Sequence, residues 1–283
     1  LGEGQDRIEI PLTWTRDGVT VTKTYTLKRG DYTIDVAIRV NNAAAAEWSA
    51  SAYTQLTRTS PIVNRKFSFT NPEQYSFVGA AWYSPEEKFE KLAFEDFVEE
   101  PLTRTITGGW AAQQQHYFFA AWIPEASEPQ AYSTAVITDQ GAPRYLIRQM
   151  GPSFKVAPGA SATSSTRLYV GPKQQEKLDS IAPGLGLTID YGMVTIFAKP
   201  VFWLLNQLHK LVGNWGFAII LTTLLVKLLL YPLSEAQYRS MAKMRKVQPR
   251  IEALKQRYGE DRQKFNQAMM ELYSKEKINP VGG

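Results

Sequence analysis

Residues 215–233 read WGFAIILTTLLVKLLLYPL, a run that is apolar except for two threonines, one tyrosine and one lysine, Lys227. At 1.5 Å per residue these nineteen positions make a helix of about 28 Å, close to the ~30 Å hydrocarbon core of a bilayer. The run reads as a transmembrane helix, and it divides the chain into a β-patterned, slightly acidic part before it and a helical, basic part after it. Lys227 needs a reason, because an ammonium near the centre of a span costs about 2.5–3.5 kcal/mol on insertion scales. As a helix, Thr223, Lys227, Tyr231, Ser234 and Tyr238 come at spacings of four, four, three and four, which places them on one face. Two readings are open. The face meets a water-filled groove or a partner helix, or Lys227 snorkels along its own stem to the inner boundary, about 9 Å away. Thr223 and Tyr231 have a role only in the first.

The net charge of +5 hides an asymmetry, −3 over residues 1–190 and +8 over residues 191–283. Nine cations fall in the thirty or so residues after the span, among them Arg239, Lys243, Arg245 and Lys246, against Lys199 and Lys210 before it. Positive charge marks the cytoplasmic side, so residues 1–180 are expected outside the cytoplasm. With no cysteine, disulfides, thiolate metal sites and cysteine nucleophiles are excluded. An exported domain starting at Leu1 implies a signal or an earlier span on its N-terminal side.

Residues 19–27 (VTVTKTYTL) and 31–40 (DYTIDVAIRV) alternate, are rich in β-branched residues and flank a turn at Lys28, Arg29 and Gly30, a hairpin signal. Further strand-like runs cover 50–58, 75–83, 114–122, 132–138, 143–150 and 163–170, bounded by Pro, Gly or Asn. Their number and spacing predict an antiparallel sandwich of two large sheets, with a short helix at 173–180. Residues 86–100, EEKFEKLAFEDFVEE, carry seven acids and read as a solvated edge or loop, or a docking surface for a basic partner. His116 is a lone histidine among aromatics, a packed or surface residue more readily than a base. Gly108 and Gly109 read as a turn.

Residues 183–187, PGLGL, read as a flexible joint within a linker over 181–194. From 195 to 212 the pattern is amphipathic, with Phe197, Val201, Leu204, Leu205, Leu208 and Val212 on one face, and it predicts a helix lying in the outer interface. His209 reads as a polar group beside its polar face. The span is assigned to 213–233. After it, Ser234 and Gln237 form a capping-box pattern that predicts a new helix. Met244, Val247, Ile251, Leu254 and Tyr258 then supply a coiled-coil seam, Gly259 a break, Asp261 a cap, and Phe265, Met269 and Leu272 a facing seam. Residues 234–279 are thus expected to form an antiparallel cytoplasmic hairpin, bent at Pro249, whose outward cations suit RNA phosphates or anionic lipid heads.

Residues 213–283, GNWGFAIILTTLLVKLLLYPLSEAQYRSMAKMRKVQPRIEALKQRYGEDRQKFNQAMMELYSKEKINPVGG, together with GGWAAQQQHYFFAAWIP (108–124) and RLYVGPKQQEKLDSI (167–181), closely resemble the YidC/Oxa family of bacterial membrane protein insertases in its Gram-negative form. The resemblance implies an α+β membrane protein: a periplasmic β supersandwich like that of sugar mutarotases, an interfacial helix, one of five core spans and a cytoplasmic helical hairpin. It further implies an inner-membrane location, an anchor helix before Leu1 and more spans after Gly283. A family groove charge, usually arginine, falls on Lys227, and a groove-lining position on Thr223. Tyr231 and Tyr238 fall near the cytoplasmic mouth, where the family meets the ribosome, with Arg239, Lys243, Arg245 and Lys246 on the same side. The partners implied are nascent membrane proteins, the Sec translocon, the ribosome and anionic lipids. No catalytic residue, metal, cofactor or small-molecule substrate is expected. Lysine keeps the charge but lacks the arginine fork. The rival expectation is a membrane-tethered carbohydrate-binding or mutarotase-like protein, for which His116 is the one histidine available in the domain; a third is a ribosome or lipid tether.

Overall fold

In the computed structural model the structure describes residues 4–59, 77–138, 141–189, 195–258 and 261–275. The chain forms two units, residues 1–190 and 191–283. Among the described residues of the first, twelve strands run as β1 (Arg7–Arg16), β2 (Val19–Lys28), β3 (Thr33–Asn42), β4 (Trp48–Thr59), β5 (Gly79–Ser84), β6 (Lys88–Leu92), β7 (Thr103–Thr107), β8 (Trp110–Gln114), β9 (Phe118–Pro124), β10 (Pro129–Ile137), β11 (Arg144–Val156) and β12 (Ser161–Pro172), with short helices α1 (Asp96–Glu99) and α2 (Gln175–Ile181). They build an eight-stranded sheet ordered β1-β2-β3-β12-β9-β8-β5-β6 and a four-stranded one ordered β4-β11-β10-β7. Pairing is antiparallel throughout, as in β2 with β3, where Val19 faces Asn42 and Leu27 faces Ile34. The antiparallel two-sheet class expected from the strand pattern is what the chain adopts.

The central strands show why. Every residue of β5 (GAAWYS) and of β8 (WAAQQ) is buried, because both faces of the large sheet are covered there. On one face Ala80, Trp82 and Ala111 join Ile106, Tyr132 and Ile147 of the small sheet. On the other, Ala81, Tyr83, Trp110 and Ala112 pack under Leu178, Ala182 and Leu185. Trp110 is 1% exposed, and burying an indole of ~200 Å² contributes about 5 kcal/mol as an upper figure.

Four expectations are corrected. The run 114–122 is not one strand: Gln115 N–H donates to Phe118 O at 3.0 Å, and the chain folds back so that Ala111 faces Trp122. Strand β1 is an addition to the expected strands. Pro11 interrupts its alternation, yet a proline is tolerated on the sheet edge where β1 lies. The acidic run 86–100 does form an edge, as expected, since β6 closes the large sheet, but it is not wholly solvated. It supplies β6 and α1, turning Leu92, Phe94 and Phe97 into the inter-sheet core and its charges out. Residues 183–187 are no flexible joint. Trp110 Nε1–H donates to Pro183 O at 3.0 Å, Gly186 N–H donates to Asp179 Oδ1 at 3.1 Å, and Leu185 and Thr188 are 0% and 1% exposed. A 3-10 turn over Leu185–Thr188 thus straps the chain to the large sheet. Residues 75 and 76 of one strand-like run, and 190–194 of the linker, lie outside the described residues.

The second unit contains α3 (Thr195–Val212), α4 (Trp215–Tyr258) and α5 (Arg262–Lys275). The corner between α3 and α4 is built locally. Gly213 takes the left-handed conformation (φ +66°) and donates to His209 O at 2.8 Å. Asn214 Oδ1 then accepts from Gly216 N–H at 2.8 Å and Phe217 N–H at 3.3 Å, capping α4. Helix α4 is long and apolar enough to cross a membrane by length and composition. It does not end at Leu233: the helix continues through Ser234, and Pro232 and Pro249 lie inside it. Each proline lacks the backbone N–H for one helical hydrogen bond, and neither ends the helix. The Ser234 and Gln237 pattern is therefore mid-helix. The turn at Gly259 and the hairpin end beyond Lys275 lie outside the described residues.

Candidate functional site

The polar face of α4 is the candidate site. Thr223, Lys227, Tyr231, Ser234 and Tyr238 are all exposed, Tyr231 at 63% and Tyr238 at 71%. Thr223 returns its hydroxyl to Ile219 O at 2.8 Å, which satisfies it within its own helix and leaves the methyl outward.

The covered side of α4 lies elsewhere on its circumference. In the spanning half, Ala218 and Thr222 are buried and Val226 is half-buried. In the basic half Val247 is buried while Met244, Ile251, Leu254 and Tyr258 are half-buried. At 100° per residue both sets centre about 140° from the polar stripe. Helices α3 and α5 therefore pack on the same side of α4, and the stripe faces away from both.

The eight residues singled out from the sequence do not form one cluster. Thr223, Lys227, Tyr231, Tyr238 and Arg245 share the stripe. Arg239, Lys243 and Lys246 fall on a neighbouring strip roughly 120° away, where Arg239 Nη2 pairs with Glu235 at 2.5 Å. Beyond them Asp261 caps α5. Its carboxylate accepts Lys264 N–H at 3.1 Å and pairs with Lys264 Nζ at 3.1 Å, and those bonds, the backbone one first, hold its pKa below the ordinary value.

Two features go beyond the sequence reading. Thr222, beside Thr223, is the buried one, bonded to Ala218 O at 2.7 Å. His209 is stacked flat on Trp215, ring centroids 3.7 Å apart at 11°, rather than standing free as a polar group. The pairing of small Ala218 with Thr222 four positions on is a readable signal for close helix approach; the ring stack across the corner is not.

In the first unit His116 is half-buried at the tip of the β8–β9 turn, edge-on to Tyr117 at 4.0 Å. Before it in the chain, Gln115 Oε1 accepts from Arg58 at 2.9 Å and Gln114 Oε1 from Lys173 at 3.1 Å. Burial pulls the Arg58 pKa down. Among the described residues no group of three or more His, Cys, Asp or Glu is placed to hold a metal ion.

Residues 1–204 match the family described as the YidC periplasmic domain, and residues 207–283 that described as the 60Kd inner membrane protein. The chain is 49% identical over 289 residues to a membrane protein insertase YidC of Stenotrophomonas maltophilia (strain K279a), covering 100% of this chain and 50% of that one. A membrane protein insertase YidC of Thioalkalivibrio sulfidiphilus (strain HL-EbGR7) is 47% identical over 284 residues, with 100% and 50% covered. The chain thus spans about half the length of the curated relatives it matches. Among solved structures, a galactose mutarotase-like protein from Lactobacillus casei ATCC 334 is 9% identical with a TM-score of 0.40, covering 59% of this chain and 71% of that one. That likeness is too slight to carry any chemistry across.

Proposed function

This chain belongs to the YidC family, and from that premise we propose that it is part of a bacterial inner-membrane insertase, acting without covalent chemistry on nascent membrane proteins, alone or with the Sec translocon. Residues 1–190 stand in the periplasm, α4 crosses the membrane with α3 in the outer interface, and the basic half of α4 with α5 lies in the cytoplasm beside the ribosome and anionic lipid heads. The observation that carries the reading is the orientation of the polar stripe. Lys227 and Thr223 lie on the side of α4 that neither α3 nor α5 covers, so the stripe is available to line a wet groove with helices that complete the protein.

The energetics favour this use of a buried cation. Bringing an acidic residue of a client into the bilayer centre costs about 2.5–3.5 kcal/mol. A carboxylate 4 Å from the Lys227 ammonium at an effective dielectric of 20 regains up to about 4 kcal/mol, which offsets that cost. Acidic segments crossing outward are therefore the clients most dependent on Lys227. The carbohydrate-protein alternative is not favoured, since relatives 47% and 49% identical over the whole of this chain are named insertases.

Single cysteines in the full-length protein test the groove. Thr223→Cys reacts with a water-borne maleimide if the stripe is wet, while Leu228→Cys, on a flank that faces neither the stripe nor α3, stays unreactive. Equal protection of both leaves snorkelling as the account of Lys227.

A further inference from the structure

We propose that α3 is a depth stop for α4, so that the level at which α3 lies in the interface fixes the level of Lys227 in the bilayer. The inference rests on the reading of α4 as a span bearing a functional charge, and it assigns positioning roles to Ala218, Thr222, His209 and Trp215.

Three contacts make α3 and α4 one rigid piece at their junction. The corner has only Gly213 and Asn214 in it: Gly213 N–H donates to His209 O, and the Asn214 side-chain Oδ1 accepts from Gly216 N–H and Phe217 N–H. The His209 ring lies flat on Trp215 across that corner. Ala218, 0% exposed, and Thr222, whose hydroxyl is turned back onto Ala218 O, then offer a low surface on which α3 closes. On α3 the positions withdrawn from solvent include Ala198, Phe202, Leu205 and His209, spaced four, three and four, a face of one helix.

The rest of α3 is built to stay in an apolar interface. Phe197 and Leu211 are 73% and 80% exposed, and Trp203, 62% exposed, suits the headgroup boundary. Lys227 is twelve residues from Trp215, about 18 Å along the axis, just past the midplane of a ~30 Å core. A helix as apolar as the first half of α4 has little of its own to stop it sliding by a turn, about 5.4 Å. Such a slide would move Lys227 by roughly a third of the ~15 Å half-thickness of the core. The joined α3 prevents it, because α3 would have to leave the interface for α4 to move.

The test is a depth measurement on the full-length protein in phospholipid vesicles. The chain contains no cysteine, so Leu229→Cys in a background freed of any others carries one nitroxide, whose depth is read from relaxation by oxygen against a water-soluble nickel complex. Ala218→Leu wedges the contact and is expected to shift the label by roughly one helical turn or less, 3–5 Å. Phe217→Leu, on a flank that faces neither the stripe nor α3, is expected to leave it unchanged. A label that keeps its depth in Ala218→Leu overturns the proposal. If Ala218→Leu does not accumulate, two glycines inserted after Gly213 carry the same test by slackening the corner, and an unmoved label again overturns it. Insertion activity in the same vesicles separates the two readings. Depth that moves while insertion of an acidic client is unaffected leaves the depth stop standing and removes the role of Lys227. Depth that never moves while Lys227→Ala impairs insertion removes the depth stop alone.

Discussion

Replacing Gly184 by alanine probes the strap that holds the end of the β domain. Gly184 has φ +72°, and a Cβ built there lies 2.3 Å from Tyr83 Cε2 and 2.5 Å from Cδ2. The left-handed conformation costs alanine about 1 kcal/mol. The overlap adds to this, because Tyr83 cannot simply swing aside: its ring is stacked on Trp110 at 5.9 Å and 9°, and losing such a pair costs about 0.5–1.5 kcal/mol. Together Gly184→Ala is expected to cost about 2–3 kcal/mol, which for a domain near 190 residues lowers Tm by roughly 4–12 °C. Tryptophan fluorescence during thermal unfolding reports both the stability and the environment of Trp110. Gly184→Asn separates the causes, since asparagine tolerates the left-handed backbone but carries the same Cβ. A Gly184→Ala protein with unchanged Tm and Trp110 emission would show residues 183–187 to be the loose joint that their composition suggests, and would refute the strap.

Asn42 is 1% exposed, donates to Ala46 O and Val156 O at 2.8 Å each and accepts from Ala44 N–H at 3.0 Å. Asn42→Ala leaves these buried groups unpaired and is expected to cost about 2–4 kcal/mol, read as a lower denaturation midpoint with unchanged m-value. Asn42→Asp, which points a carboxylate at two carbonyls, is expected to be worse. The Asp261 cap predicts a pH effect on α5. Its pKa is lower in the folded chain than in the unfolded one, so its stabilisation is present above the unfolded value near 4 and is lost as pH falls through the lower folded value. Protection factors of α5 amides, corrected for the intrinsic pH dependence of exchange, are expected to fall below about pH 4, and Asp261→Asn to flatten that dependence.

Much of this molecule is legible in residue order because its signals are local. Alternating β-branched residues place β2 and β3, and a long apolar run places α4. The features that residue order hides depend on partners distant in sequence. The composition of PGLGL suggests freedom, but Trp110, over seventy residues earlier, accepts the strap into a pocket between Tyr83 and α2. The acids of residues 86–100 mask Phe94 and Phe97, whose destination is Tyr145 on β11 at 4.6 and 5.4 Å. At the site, helical spacing is enough to align Thr223, Lys227, Tyr231 and Tyr238. It cannot tell which side of α4 is covered, since that depends on where α3 and α5 fold back, nor that one helix runs unbroken through Pro232 and Pro249, which is what lets the same spacing carry Arg239, Lys243 and Lys246 onto a second strip.

Insertion by the full-length protein carrying Lys227→Ala tests the central claim most directly. The assay is a reconstituted reaction with two matched clients, one with an acidic translocated tail and one with the same tail neutralised. Losing about 1.4–3 kcal/mol of attraction predicts a fall of roughly 10–100-fold in the insertion rate of the acidic client, little change for the neutral one, and recovery of most of the rate in Lys227→Arg. Equal rates for both clients in Lys227→Ala, at undiminished protein level, would contradict the account and leave Lys227 a lysine that merely reaches the membrane surface.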